Sequence, residues 1–439
     1  MLVIKTKAAW QLSLRRRPEA LTPNDRIFIK EQKMIMSWLL LKRKKLILED
    51  DLSTNADSIL RLSRQVNDIY CNLHAQLTIE RVVFRNEHKN RTVASFSSEW
   101  IYSNTRFHSA ADLLRLLSAL RLPERIVLDN GSVTSGEEAL LVTLYRLSFP
   151  RRLSDIEETF GRDYSHWSRV IKYTMQWIIK NWWYLLSDNT EYWTDQIPSF
   201  YEAITAKIVE LGFDFPLRLL GFDSEQRTYR VFAFIDNTII KTCRPGGSAA
   251  RRGPNAPRYH RLVQQAFYTG WKKVHGVKFQ TVSLPNGMLY HVYGPVSCRR
   301  GDMFTLPHSQ IQNKLKDVMA SSFEVKYHVY GDSAYSRNDE ITGHIEGSSL
   351  TDRQKMENKC FNACRESIEW GNKEIKNFFK TSVYDTGLRL KAMEVAAILQ
   401  CCIFFTNCLC AMYGNQTSEY FGYSRDIFDD WISRGPREV

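Results

Sequence analysis

Val231-Phe232-Ala233-Phe234-Ile235-Asp236 is a run of five apolar residues closed by one carboxylate, with Arg230 before it and Asn237 after it. So short and β-rich a run predicts a buried strand instead of a helix. An aspartate at the end of such a strand is costly to bury unless a cation meets it. The pattern returns downstream, where Tyr327-His328-Val329-Tyr330 leads into Gly331-Asp332-Ser333-Ala334-Tyr335. Two carboxylates delivered from two strand ends predict a hard-metal site, because Mg²⁺ is held by one or two carboxylates together with substrate phosphate oxygens.

The 439 residues leave room for two or three domains and a substantial core. Sixty Lys and Arg against 48 Asp and Glu give a net charge of +12, which favours a polyanionic partner, nucleic acid ahead of a membrane surface. The cysteines Cys401, Cys402, Cys408 and Cys410 crowd an apolar run, and Cys360 and Cys364 lack a second ligand pair. Neither group reads as a disulfide framework or a zinc site, so reduced thiols in an intracellular compartment are expected. The first ten residues are too polar for a signal-peptide core, and the acid-free first eighteen leave an organellar transit peptide as a lesser reading. Val395 to Tyr413 is uncharged and long enough to span a bilayer, but it holds Gln400, Thr406, Asn407 and four cysteines. A buried core helix is the expectation.

Residues 1–130 read as a helical, basic region. They contain the cluster Lys42-Arg43-Lys44-Lys45, a phosphate contact or nuclear address, and an amphipathic helix over Ala110 to Leu122 stopped by Pro123. Residues 131–190 predict three helices: one capped at Ser135, one opened by the box Ser154-Asp155-Ile156-Glu157 and ended at Gly161, and one from Tyr164. That succession fits a helix-turn-helix, whose last helix would present Ser165, His166, Ser168, Arg169 and Lys172 to the major groove. Residues 191–224 form a connector. Past Asp236, the stretch Arg244 to Arg258 is rich in Gly, Pro and Arg and predicts a basic loop carrying Arg251 and Arg252, where a phosphate backbone can lie. Lys272 and Lys273 are further candidates for backbone contacts. Pro285-Asn286-Gly287 marks a hairpin turn, followed by a strand over Met288 to Tyr293, a loop with Asp302, and a helix over Phe304 to Phe323. On a predicted helix over Asn358 to Phe379, Phe361, Cys364, Ile368, Ile375 and Phe379 form one stripe. Glu369 borders it, and spacing alone does not separate Glu369 from Glu366 and Glu374.

Four pieces in order carry a family resemblance. Phe234-Ile235-Asp236-Asn237-Thr238 resembles a "DGT" strand end with Asn237 in place of glycine, and Tyr330 to Tyr335 resembles a "GDsgY" segment. Arg365-Glu366-Ser367-Ile368-Glu369-Trp370, continuing to Ile375-Lys376, resembles an "R-x-x-v-E-n … L-K" helix. Ile403-Phe404-Phe405-Thr406-Asn407 resembles a closing "LHN" helix. Together, over about residues 133–413, these resemble the DDE transposases of the PIF/Harbinger group. The resemblance selects Glu369 over its rivals and implies a mixed α/β architecture. In it an RNase H-like domain over 225–415, with a mixed sheet flanked by helices, follows the helical N-terminal region and precedes a tail over 416–439. It implies two Mg²⁺ or Mn²⁺ ions held by Asp236, Asp332 and Glu369, about 3.5–4 Å apart, and cutting and joining of DNA at transposon ends. Gly301-Asp302 resembles an accessory acid position. Double-stranded DNA as substrate, a Myb-like partner protein, self-association, no membrane and a nuclear location are further implications. Asn237 and the Gly/Pro/Arg loop depart from the pattern and mark a divergent copy. The rival readings are a domesticated transposase that binds DNA without cutting it, and an unrelated nuclease on the same fold.

Overall fold

A computed structural model describes residues 61–69, 90–213, 230–245, 262–335, 338–390, 394–423, 426–433 and 435–436. The chain divides into two compact units, 1–89 and 90–439. In the first, residues 61–69 are helical. The Lys42–Lys45 cluster and the loop arginines Arg251 and Arg252 lie outside the described residues.

The second unit opens with helices α1 (Ser98–Thr105) and α2 (Ala110–Leu120). Leu113, Leu116 and Leu120 of α2 recur at helical spacing and are buried, as its amphipathic pattern predicts. A two-stranded ribbon, β1 (Arg125–Val127) with β2 (Val133–Ser135), leads into α3 (Gly136–Ser148), whose first turn is capped by the Ser135 hydroxyl accepting from the Glu138 N–H. Helix α4 (Leu153–Phe160) starts earlier than Ser154-Asp155-Ile156-Glu157 predicts. Arg152 is the N-cap residue, and Asp155 reaches back to accept its N–H at 2.9 Å. Gly161 at φ +66° ends α4, and Asp163 caps α5 (Tyr164–Trp182). Helix α6 (Ile197–Glu210) follows, with proline in its first turn, where the missing N–H costs nothing.

The sheet then begins. Strand β3 (Arg230–Lys241) runs five residues beyond Asp236, so the acid stands within the strand and not at its end. Antiparallel β5 (Val274–Ser283) and β6 (Leu289–Ser297) form the predicted hairpin, with Gly287 at φ +82° in the turn. The two-residue β4 (Tyr268–Thr269) pairs with the start of β5. The single helix predicted over Phe304 to Phe323 is two: α7 (Asp302–Ser309) and α8 (Ile311–Ser322). Pro307 lies within α7, and Gln310 between them is left-handed at φ +57°, which breaks the helical ladder. Strands β7 (Tyr327–Gly331) and β8 (Ile341–Gly343) join in parallel, giving the order β6-β5-β3-β7-β8 with three antiparallel strands followed by a parallel pair.

Helix α9 (Asp352–Phe378) begins six residues before the predicted start, at a capping box between Thr351 and Gln354. It crosses one face of the sheet. Helix α10 (Val395–Tyr413) is long and apolar enough to cross a membrane, yet 83% of its apolar window is buried inside this fold. Its ring contacts run to Phe379, Trp431 and, between neighbours, Phe404 to Phe405. Two short helices close the described chain, α11 (Gln416–Tyr420) and α12 (Phe428–Ile432). The result is a mixed α/β unit with a mixed sheet flanked by helices.

Candidate active site

Parallel pairing of β3 with β7 sets Phe234 opposite Tyr330. Two residues further along each chain stand Asp236 and Asp332. Because side chains alternate faces, each acid shares the face of the aromatic behind it. A register shift between Val231 and Ala233 brings Val231 and Phe234 to one side despite their odd spacing. Val231, Phe234 and Tyr330 pack there with Phe361, Cys364 and Ile368 of α9. The Tyr330 and Phe361 rings lie 5.0 Å apart. The face is confirmed from β5: Thr281, the partner of Asp236, donates to the Asp236 carbonyl and to the Asn372 side chain of α9, at 3.4 and 3.3 Å.

Both acids are stressed. Burial pushes the Asp236 carboxyl up to about 6, opposed by the Asn237 N–H and by Arg365, and reinforced by the charges of Asp332 and Asp302. Asp332 is raised by burial and by Asp302. The Ala334 N–H, 3.0 Å from its Oδ1, and the cations Arg365 and Lys278 act the other way. Asp302 stands on the opposite side of the sheet, where the nearly buried Lys278 ammonium meets its Oδ1 at 2.5 Å and donates to the Arg300 carbonyl at 2.8 Å.

Helix α9 supplies the remaining charged groups in order. At about 100° per residue, Arg365, Glu369, Asn372 and Lys376 fall within about 60° of one another, and Glu374 lies about 180° from Arg365. The contacts agree. Asn372 meets Thr281, and Lys376 donates to the Thr238 hydroxyl at 3.3 Å, two residues past Asp236. Glu374 instead accepts from Asn415 at 2.8 Å on the far side, and the charge of Glu366 acts on Tyr420. The three glutamates that spacing left unresolved thus face different ways, and Glu369 is the one on the stripe that faces the acids. Its side chain is exposed. Among the described residues no group of three or more His, Cys, Asp or Glu side chains is assembled to hold a metal ion. Two half-buried carboxylates, both raised by burial and with the charge of Asp332 raising Asp236 further, are hard oxygen donors that a divalent cation would neutralise, so the Asp236–Asp332 pair fits such an ion. Glu369 is positioned on the helix above it without closing on it.

Beneath Asp236, on the opposite face, Asn237 donates to the Tyr335 hydroxyl at 2.7 Å and to Thr305 at 3.2 Å, and Gln280 donates to Thr305 at 3.1 Å. Burial and the charges of Asp302, Asp236 and Asp332 keep the Tyr335 phenol protonated. The ring lies against Gly331: a Cβ there would come within 2.6 Å of Tyr335 Cδ2. Asn237 in place of glycine therefore has a structural partner, which sequence spacing does not reveal. Arg365 and Lys278 were also missed as site cations; the four-residue step from Arg365 to Glu369, one helical turn, was the available signal for the first.

The predicted DNA contacts are dispersed. On α5, Ser168, Arg169 and Lys172 are exposed, and Lys172 pairs with Glu394 at 2.7 Å. Ser165 is half-buried, its N–H held by the Asp163 cap. His166 is buried against Ser132 and Arg162 and pushed down to about 4 by burial and the neighbouring arginines, so it faces the interior as a neutral ring. Lys272 and Lys273 are exposed in the turn between β4 and β5.

Residues 253–407 match the model of a family described as DDE superfamily endonuclease. The match spans Asp302, Asp332 and Glu369 and begins beyond Asp236. No curated protein and no solved structure matches the chain.

Proposed function

We propose, taking a DDE superfamily endonuclease domain over residues 253–407 as premise, that the chain is a transposase of the PIF/Harbinger type that cuts and joins DNA phosphodiesters at transposon ends. The observation that carries this reading is the parallel register of β3 and β7, which brings Asp236 and Asp332, both half-buried, to neighbouring positions on the face covered by α9. Strand order β6-β5-β3-β7-β8, an antiparallel trio continued by a parallel pair, supports an RNase H-like assignment for residues 225–415.

Asp236, Asp332 and Glu369 are the residues that would hold two Mg²⁺ or Mn²⁺ ions, with Asp302 as accessory acid. Such ions, when bound, activate the attacking water or 3′-hydroxyl and neutralise charge on the phosphate. The chain does the rest. The Asp236–Asp332 pair supplies the negative pocket, Arg365 balances it, and the Asn237–Tyr335–Thr305 network braces β3 from behind. Lys376 offers a cation beside Thr238 for the phosphate backbone. In this reading the three helices α3, α4 and α5 form a helix-turn-helix, with Ser168, Arg169 and Lys172 as its exposed polar groups. A nuclear location, self-association and a Myb-like partner belong to the same proposal.

The test is nicking of a duplex carrying candidate terminal repeats with Mg²⁺ or Mn²⁺. Asp236→Asn should lower the rate at least 100-fold and leave DNA affinity within threefold; equal rates for variant and wild type sink the assignment. A second reading, a domesticated DNA-binding protein without nuclease activity, is favoured by the exposed Glu369 and the absence of an assembled three-residue cluster among the described residues. It expects tight DNA binding and no metal-dependent nicking by the intact chain.

A further inference from the structure

Trp271 is 83% exposed, the most exposed large apolar side chain among the described residues. It stands in the turn between β4 and β5, preceded by Gly270, which has no neighbour within 4 Å of its Cβ position, and followed by Lys272 and the left-handed Lys273. The Lys272 ammonium lies 5.0 Å from the Trp271 ring centroid. The neighbouring Tyr268 is 39% exposed. An indole left in water at a turn tip buries nothing for the fold, since none of the described core is built on it.

The turn is connected to the acids. Strand β5 sets Thr281 opposite Asp236, and Val274 at the base of the turn is seven residues further along the same strand. At about 3.3 Å per residue, Val274 at the base of the turn stands about 23 Å from Asp236 along the sheet, with the tip beyond it. Between them Lys376 reaches Thr238, and the charges of Lys272 and Lys373 both act on Lys376, which burial also depresses. Lys272, Lys376 and Lys373 therefore form a basic path that starts beside the acid pocket and ends at a free aromatic face.

We infer that this path takes a DNA strand, its phosphates along Lys373, Lys376 and Lys272, and that Trp271 stacks on an unpaired base of that strand. The ring is large and flat enough for any base, and adjacent cations suit the backbone rather than an apolar protein partner. At the duplex rise of about 3.4 Å per nucleotide, the base of the turn is about seven nucleotides from the phosphate at Asp236, and the stacked base lies beyond it. The inference rests on the proposed DNA substrate, but it concerns strand binding and needs no cleavage.

The experiment measures binding of the full-length chain, in EDTA, to a fluorescent 20-nucleotide mixed-sequence single strand and to the blunt duplex of the same sequence. Trp271→Ala should weaken single-strand binding about tenfold, with duplex binding changed less than twofold, and Trp271→Phe should retain most of the affinity. A 2-aminopurine in the strand should be quenched by wild type and not by Trp271→Ala. Lys272→Ala should weaken both ligands and lower the salt dependence by about one phosphate's worth. Unchanged single-strand affinity in Trp271→Ala, or an equal loss on both ligands, overturns the stacking assignment. A wild-type chain that binds neither DNA overturns it together with the functional reading. Binding with the expected variant effects but no nicking in Mg²⁺ leaves this inference standing and removes only the nuclease.

Discussion

Asn237 shows how one residue can be tied to a site it does not face. Its amide joins Thr305 and the Tyr335 hydroxyl behind the strand that carries Asp236. Asn237→Gly should cost about 1–3 kcal/mol, because it leaves buried hydroxyls short of a partner and loosens a strand interior; urea unfolding would measure it. Glu374 carries a second residue-level consequence. Burial raises its carboxyl from 4.5 to about 7, against the bonds it accepts from Asn415 and the Gln416 N–H. A folded-state pKa above the unfolded value means that the contribution to stability is full below about pH 4.5 and is lost as pH rises through about 7. Glu374→Gln keeps an acceptor for Asn415 and removes that loss. It should stabilise the chain at pH 8 by on the order of 2 kcal/mol, after allowance for partial exposure, with little change at pH 4.5. A stability difference independent of pH would rule this account out.

Among the elements, α9 is the one on which the site depends. One edge of it packs Phe361, Cys364 and Ile368 onto Phe234 and Tyr330, and the adjoining edge carries Arg365, Glu369, Asn372 and Lys376 toward the acids. Core packing and site geometry are therefore the same contact. Phe361→Ala should lower stability by about 3–5 kcal/mol and should reduce nicking more than DNA binding, because the helix loses its seat over Tyr330. The pair of measurements is calorimetric melting and rate at a temperature where the variant is still folded. The break at Gln310 has the opposite character. Pro307 and a left-handed residue divide a predicted helix without touching the site.

At the scale of the molecule, residues 90–439 form one compact unit containing the sheet, α9 and the buried α10. A chain beginning at residue 90 should therefore fold and unfold in one cooperative transition; circular dichroism would show it. The amino-acid sequence by itself determined the two acid-bearing strands, the hairpin at Gly287 and the apolar stripe of α9, because short-range hydrophobic pattern and turn chemistry decide those locally. It also marked Val395–Tyr413 as a core helix through its scattered polar residues, and the burial of that helix agrees. Other features depended on contacts between residues far apart in the chain. These were the parallel register that sets Asp236 beside Asp332, the rotation of α9 that turns Glu374 to Asn415 and Glu369 to the acids, the inward turn of His166, and the cations Arg365 and Lys278. Only the tertiary structure decided these, since a strand's neighbours and a helix's rotation are chosen by the surfaces they bury, and no local stretch of chain contains those surfaces.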